Sequence, residues 1–133
     1  MKEADIETIL SKAKAIAVVG FSSKPERAGY YVPEYLQQQG YRIFPVNPNL
    51  TEALGGPAYA DLIDIPYMVD TVLIFQRSEN VPPFVDAAIE IGAKYVWMQE
   101  GISNAAAAEK ARAAGLVVVE DACMMVEHRA RKG

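Results

Sequence analysis

The sequence has one cysteine and one histidine in 133 residues. Cys123 alone excludes an internal disulfide and fits a reducing compartment. His128 alone excludes a histidine cluster, and no Cys/His grouping has zinc spacing. Asp61, Asp64 and Asp70 are scattered and read as caps and strand ends, so no metal site is expected. No apolar stretch approaches the roughly 20 residues that span a bilayer. The opening Met1-Lys2-Glu3-Ala4-Asp5 carries acid where a secretory signal needs an apolar run. A soluble cytoplasmic protein is therefore expected. An excess of positive charge is missing too. The net charge of −4 and pI near 5.0 argue against a general nucleic-acid or membrane surface, while leaving room for a local basic site. Internal repeats, low-complexity segments and interdomain linkers are also absent, so residues 1–133 are expected to form one domain.

What is present is an ordinary globular balance, 51% apolar and 23% charged, arranged in alternating strand and helix patterns. Asp5 to Ala13 places Ile6, Ile9, Leu10 and Ala13 on one helical stripe, with Asp5 a candidate cap. Ala15 to Val19 is apolar throughout, as in a parallel strand buried on both faces. After Gly20 and a polar loop, an amphipathic run from Tyr31 to Gln39 predicts a helix that Gly40 ends. Proline is tolerated only near a helix start, so Pro33 predicts a beginning around Tyr30 to Val32. Tyr41 to Val46 is the second strand, with Pro45 near its end or at a gap in the ladder. Leu50 to Ile65 is irregular, with Ala58-Tyr59 as a very short strand and Asp61 to Ile65 as a helical turn.

Asp70 to Phe75, Lys94 to Met98 and Leu116 to Val119 are further strands. Between them lie a helix marked by Val81, Phe84, Val85, Ala88 and Ile89, and an alanine-rich helix from Ser103 to Ala114 capped by Ser103 or Asn104. Ala122 to Ala130 closes the chain as a helix with Cys123, Val126 and Ala130 on one face. Five good strands and one weak one, alternating with helices, predict an α/β fold: a three-layer, doubly wound, mainly parallel Rossmann-like sheet with strand order 3-2-1-4-5-6. In that order a ligand sits where the first and fourth strands end, at Gly20-Phe21-Ser22-Ser23 and Phe75-Gln76-Arg77, flanked by Asn47-Pro48 and Gln99-Glu100-Gly101.

The first strand, loop, helix and second strand make a βαβ unit of about 30 residues, whose loop is where phosphates sit. The dinucleotide fingerprint G-x-G-x-x-G fails, because Ser22 and Pro25 occupy the later glycine positions. The second strand ends in Asn47-Pro48, without the acid that holds an adenosine ribose. A GxxxxGK[ST] loop is missing as well. Ser22 and Ser23 instead offer hydroxyls, and Lys24 and Arg27 offer charge, a combination suited to a phosphate or pyrophosphate held without a metal.

The order of segments resembles the stand-alone coenzyme A-binding domain family. It is similar as well to the amino-terminal part of the succinyl-CoA synthetase α subunit and of ADP-forming acyl-CoA synthetases. Five marks in order carry the resemblance: Val19 to Pro25, Gly40 to Pro48, Trp97 to Ile102, Ala113 to Leu116 and Cys123 to Arg129. The resemblance implies that Ser22 to Pro25 meet the coenzyme's phosphates and that Asn47 and Pro48 pack near the adenine or its ribose. It implies that Phe75 and Arg77, with Val81 and Pro82, line the other side, and that Met98, Gln99 and Glu100 lie near the pantetheine arm. Three departures stand out. Leu50 occupies the place of a synthetase lysine, and Glu120-Asp121-Ala122-Cys123 replaces a Gly-Pro-Asn-Cys segment. The phosphohistidine domain and ATP-grasp partner of the synthetases are absent.

The expected function is thus binding of CoA or an acyl-CoA without catalysis. The expected site comprises Gly20, Phe21, Ser22, Ser23, Lys24, Pro25, Arg27, Asn47, Pro48, Phe75, Gln76, Arg77, Val81, Pro82, Met98, Gln99 and Glu100. A small-molecule partner is expected, with no nucleic acid and no membrane; a protein partner or homo-oligomer stays open. Blander roles compete at several positions: Ser22 and Ser23 as helix caps, Arg27 and Arg77 as solvated charges, Cys123 as a buried thiol, His128 at the surface or as a cap. Rival functions are an NAD(H)-binding redox sensor or small oxidoreductase, an enzyme acting on CoA thioesters through Glu100 or Cys123, and a regulatory subunit docking through Tyr30 and Tyr31.

Overall fold

A computed structural model describes residues 1–132. Helix α1 (Lys2–Lys12) leads into β1 (Ala15–Val19), α2 (Ala28–Gln38) and β2 (Arg42–Val46). A small hairpin follows, β3 (Glu52–Ala53) with β4 (Gly56–Pro57), then a 3₁₀ turn at Leu62–Asp64. The rest alternates: β5 (Thr71–Ile74), a 3₁₀ turn at Ser78–Asn80, α3 (Pro82–Glu90), β6 (Tyr95–Met98), α4 (Ala105–Ala113), β7 (Val117–Val119) and α5 (Met124–Arg131).

Five strands form one parallel sheet in the order β2-β1-β5-β6-β7. β1 lies between β2 and β5, with Val19 level with Val46 on one side and Ile74 on the other. Alternate side chains enter opposite layers, as the period of a strand requires. Ala17, Val19, Val72, Ile74, Val96 and Met98 pack with Val85 and Ala88 of α3 and Ala107, Ala108 and Ala111 of α4. Ile16, Val18, Leu73 and Trp97 pack on the other face with Ile6 and Ile9 of α1, Val32 and Leu36 of α2, and Met124 of α5. Both faces are covered, which is why the strands read as unbroken apolar runs. Buried Trp97 donates its indole N–H to the Ala122 carbonyl at 2.7 Å, satisfying its one polar group.

The architecture is the expected mainly parallel α/β sheet, and the order of its five strands is the expected one. The sixth, Ala58-Tyr59, contracts to a single parallel bridge between Tyr59 and Val46, at the expected edge. Tyr59 donates to the Pro45 carbonyl and accepts from the Asn47 amide, both at 2.9 Å, before Asp61 caps the 3₁₀ turn through the Leu62 amide and ends the extended run. Pro45 is buried, and its backbone faces that edge, where the ladder uses its carbonyl as an acceptor and needs no N–H. The β3–β4 hairpin has no counterpart in the sequence expectation. Its turn uses Leu54 and Gly55 at φ of 51° and 82°.

Three helices depart from the expectation. α1 starts at Lys2 with Met1 as N-cap, so Asp5 lies in the first turn rather than capping it. α2 starts at Ala28, two residues before the expected range, and carries Pro33 in its interior. In α5, Met124 is the buried residue, whereas Val126 and Ala130 are exposed and Cys123 is the N-cap. Among the described residues no helix is long and apolar enough to cross a membrane.

Candidate functional site

The carboxyl ends of β1, β2 and β5 meet around Gly20. Its φ is +83°, and a Cβ there would lie 2.2 Å from the Phe75 carbonyl oxygen, so only glycine lets the loops after β1 and β5 touch. The Gly20 and Phe21 amides donate to the Val46 carbonyl, fastening the loop to β2. The Phe21 carbonyl accepts the Asn47 side-chain amide at 2.7 Å, and Asn47 Oδ1 accepts the Asn49 amide at 2.8 Å. Asn47 therefore braces the two loops that form the cleft floor.

The start of α2 completes the cleft. Its N-cap is Arg27, and no side chain caps it. Ser22 and Ser23 are not its caps: the Ser22 hydroxyl oxygen accepts the Lys24 amide at 3.1 Å, closing a short turn within the loop. The amides of Ser23, Ala28 and Gly29 find no partner among the described residues. Unpaired donors at a helix start carry partial positive charge. Lys24 and Arg27 flank them, exposed and in no ion pair among the described residues. Gly29 belongs here for reasons of space: a Cβ would lie 3.1 Å from the Gly20 carbonyl oxygen and 3.4 Å from Ser22. Its absence lets the helix close on the loop.

These elements enclose a cleft of about 590 Å3, lined by the loop from Gly20 to Lys24, by Arg27 to Gly29, and by Asn47, Asn49, Leu50 and Phe75. A second cleft of about 570 Å3 shares Gly20, Asn47 and Asn49 and runs to Pro48, Ala60, Asp61, Gln76 and Phe84. Together they offer two cations beside open N–H donors and, beyond them, a cleft whose walls mix Val46, Pro48 and Phe84 with Asn47, Asn49, Asp61 and Gln76. That donor set fits a diphosphate carrying an extended, largely uncharged tail. Among the described residues no group of three His, Cys, Asp or Glu side chains is placed to hold a metal ion.

Of the residues singled out in the sequence, the first cleft gathers Gly20, Phe21, Ser22, Ser23, Lys24, Arg27, Asn47 and Phe75, and the second adds Pro48 and Gln76. Phe21 presents backbone there, since its ring is buried against Tyr30. Pro25, Arg77 and Pro82 are exposed and line neither cleft, and Glu100, at the end of β6, does not either. Val81 and Met98 are fully buried in the core beneath α3 and α4. Gln99 is buried with its side-chain oxygen 3.3 Å from the Met124 amide, so it holds the start of α5. The structure thus brings Val81, Met98 and Gln99 to neither cleft. Ala28, Gly29, Asn49, Leu50, Ala60, Asp61 and Phe84 also line the clefts, and none of them belongs to the site expected from sequence. The signal for Ala28 and Gly29 was their place before Pro33, hidden by the assumption that a helix does not begin so far ahead of a proline.

The lone cysteine and the lone histidine lie elsewhere. Cys123 is buried at the start of α5. His128 sits between Tyr35 and Tyr41, its Nδ1 2.8 Å from the Tyr35 hydroxyl, and burial, then Lys132, push its pKa below the ordinary value. Neither lines the clefts at Gly20.

Known proteins resemble this chain in sequence and in fold. An uncharacterized protein of Bacillus subtilis, YneT, is 38% identical over 130 residues, 98% of this chain and 96% of that protein. The structure of a hypothetical protein from Pyrococcus horikoshii superimposes with a TM-score of 0.94 at 41% identity, covering 100% of this chain and 94% of the other. The ADP-forming acetate–CoA ligase II subunit alpha of Pyrococcus furiosus is 39% identical over 84 residues, 62% of this chain but only 18% of that subunit. The similarity to the ligase is thus confined to one part of a much longer protein. The family model described as a CoA binding domain matches residues 14–129, from the residue before β1 to the last turns of α5, and the chain belongs to that family of CoA-binding domains.

Proposed function

We propose that the chain binds coenzyme A or an acyl-CoA in the cleft at Gly20, as one domain over residues 1–133, in the cytoplasm and without catalysis of its own. The observation that carries this reading is the uncapped start of α2, where the Ser23, Ala28 and Gly29 amides lack partners among the described residues and line one cleft with Lys24 and Arg27. A diphosphate supplies the acceptors those donors lack. In this reading the Ser23 hydroxyl and the two cations hold the diphosphate, and Asn49, Leu50 and Phe75 form the wall for the adenosine. The pantetheine arm follows the second cleft past Pro48, Gln76 and Phe84. The buried position of Gln99 favours that route over one toward Gln99 and Glu100.

The composition of the cleft supports recognition rather than turnover. The first cleft is lined by no carboxylate, thiol or imidazole, and the second by one carboxylate, Asp61, whose Oδ1 is engaged in accepting the Leu62 amide at 2.8 Å. A thioester-processing enzyme needs a nucleophile or a base within reach of the acyl carbon. Coenzyme A, when bound, supplies a thiol able to carry acyl groups; the protein's part is to hold and shield it.

Calorimetric titration with CoA, acetyl-CoA, NAD, NADH and ADP tests the reading. Saturable binding of CoA or acetyl-CoA, with NADH binding at least tenfold weaker, is the expected result. Tighter binding of NADH than of CoA would replace it with the oxidoreductase or redox-sensor reading.

A further inference from the structure

Pro33 lies inside α2, at a position where a helix normally needs an N–H. In a regular helix the amide of residue 33 would donate to the carbonyl of Gly29, four residues earlier. Proline has no such amide, and its ring crowds that carbonyl. The Gly29 carbonyl is not left without a partner. It accepts the amide of Ser22, from the loop after β1, at 3.1 Å. One missing helical hydrogen bond is thereby exchanged for one between helix and loop.

We propose that Pro33 is a positioning residue for the phosphate-binding loop: by leaving the Gly29 carbonyl free, it lets that carbonyl capture the Ser22 amide and fix the loop's shape. The effect on ligand rests on the CoA-binding reading above. Pro33 itself is buried and lines neither cleft, so it acts only through Gly29 and Ser22.

Three local features depend on that one bond. It draws Ser22 against Gly29, where the absence of a Cβ leaves room. It turns the Ser22 amide inward, so that the neighbouring Ser23 amide is the donor left open. It sets the start of the short turn in which the Ser22 hydroxyl oxygen accepts the Lys24 amide. With an ordinary residue at 33, the helical amide competes for the same carbonyl, and Ser22 is released. The proline thus places the loop's donors while touching no ligand.

The test is Pro33→Ala, with Val32→Ala as a control that trims a buried side chain of the same helix and leaves its amides alone. Amide hydrogen exchange is read by NMR in the ligand-free protein, taking Ser22 relative to Leu36, together with thermal unfolding and CoA titration. In Pro33→Ala the Ser22 amide is expected to exchange at least tenfold faster relative to Leu36. CoA affinity falls about tenfold, and the melting temperature is unchanged or higher, since alanine favours a helix. Val32→Ala lowers the melting temperature and leaves the Ser22-to-Leu36 ratio where it was. Unchanged relative exchange of Ser22 in Pro33→Ala overturns the proposal, whatever happens to CoA. Faster Ser22 exchange in a protein whose wild type binds no CoA supports the loop-setting role and overturns the CoA reading instead.

Discussion

The two ends of the sheet are built from the same strands and treat their backbone in opposite ways. At the amino-terminal end, polar groups are paired within the chain. The Asp70 carboxylate accepts the Lys14 and Ala15 amides and the Thr71 hydroxyl, the Lys94 and Tyr95 amides donate to the Asp70 carbonyl, and the Tyr41 hydroxyl donates to Leu10. Around it, His128 pairs with Tyr35, and Arg131 with Glu3 and Glu127. At the carboxyl-terminal end, α2 begins without a side-chain cap, and among the described residues the Ser23, Ala28 and Gly29 amides have no partner and Lys24 and Arg27 form no ion pair. The contrast teaches where the protein spends its polar groups on its own stability and where it keeps them for a ligand. The substitutions below separate the two ends by uncoupling stability from binding.

The largest effect is expected at Gly20, where the two properties meet. Gly20→Ala forces a side chain into the left-handed region and onto the Phe75 carbonyl. A loss of about 3 kcal/mol is expected from the backbone strain and crowding together, measured by urea denaturation. CoA binding should be lost with it. Next comes Asp70→Ala, at the paired end, which strips the acceptor from two amides and a hydroxyl. It should cost about 2 kcal/mol of stability while CoA affinity stays within twofold of wild type. The reverse pattern is expected of Lys24→Ala and Arg27→Ala. Each should weaken CoA about tenfold, roughly 1.4 kcal/mol, and leave stability within about 0.5 kcal/mol, since both side chains are exposed.

The smallest effect concerns pH at the paired end. Burial, and then Lys132, hold the His128 pKa below the ordinary value of 6.5, so the unfolded chain binds its proton more readily than the folded one. His128 therefore contributes its full stability above pH 6.5 and loses it as pH falls through the depressed folded value. Thermal unfolding of the wild type should weaken from pH 7 to pH 5 more steeply than that of His128→Gln. CoA affinity measured at pH 7 should be the same in both proteins.

Much of the fold was legible because both faces of the sheet are buried. Ala15–Val19 and Thr71–Ile74 announce themselves as apolar runs, and their alternation with helices leads to the parallel sheet and the order of its five strands. The hairpin at Glu52–Pro57 was not legible, because Leu54 takes a left-handed turn position usually filled by asparagine, aspartate or glycine. Gly20 to Ser23 and Asn47 could be placed on the cleft from topology, and Lys24 and Arg27 from their charge beside that loop. Met98 and Gln99 could not be excluded that way. They end a strand beside the cleft, but Met98 enters the core and Gln99 turns to α5, a choice made by packing across the sheet. The start of α2 was hidden for a different reason. Pro33 is a helix breaker only while its missing hydrogen bond goes uncompensated, and the compensation comes from Ser22, distant in the helix pattern.

The most direct test of the central claim is a CoA titration followed through the backbone amide resonances of the wild-type protein. The account predicts that the Ser23, Ala28 and Gly29 amides shift downfield the most as their open donors acquire phosphate acceptors, with the Lys14 and Ala15 amides unmoved. Shifts centred instead on the cleft at Leu10, Ser11 and His128, with the amides of Ser23, Ala28 and Gly29 silent, would contradict it.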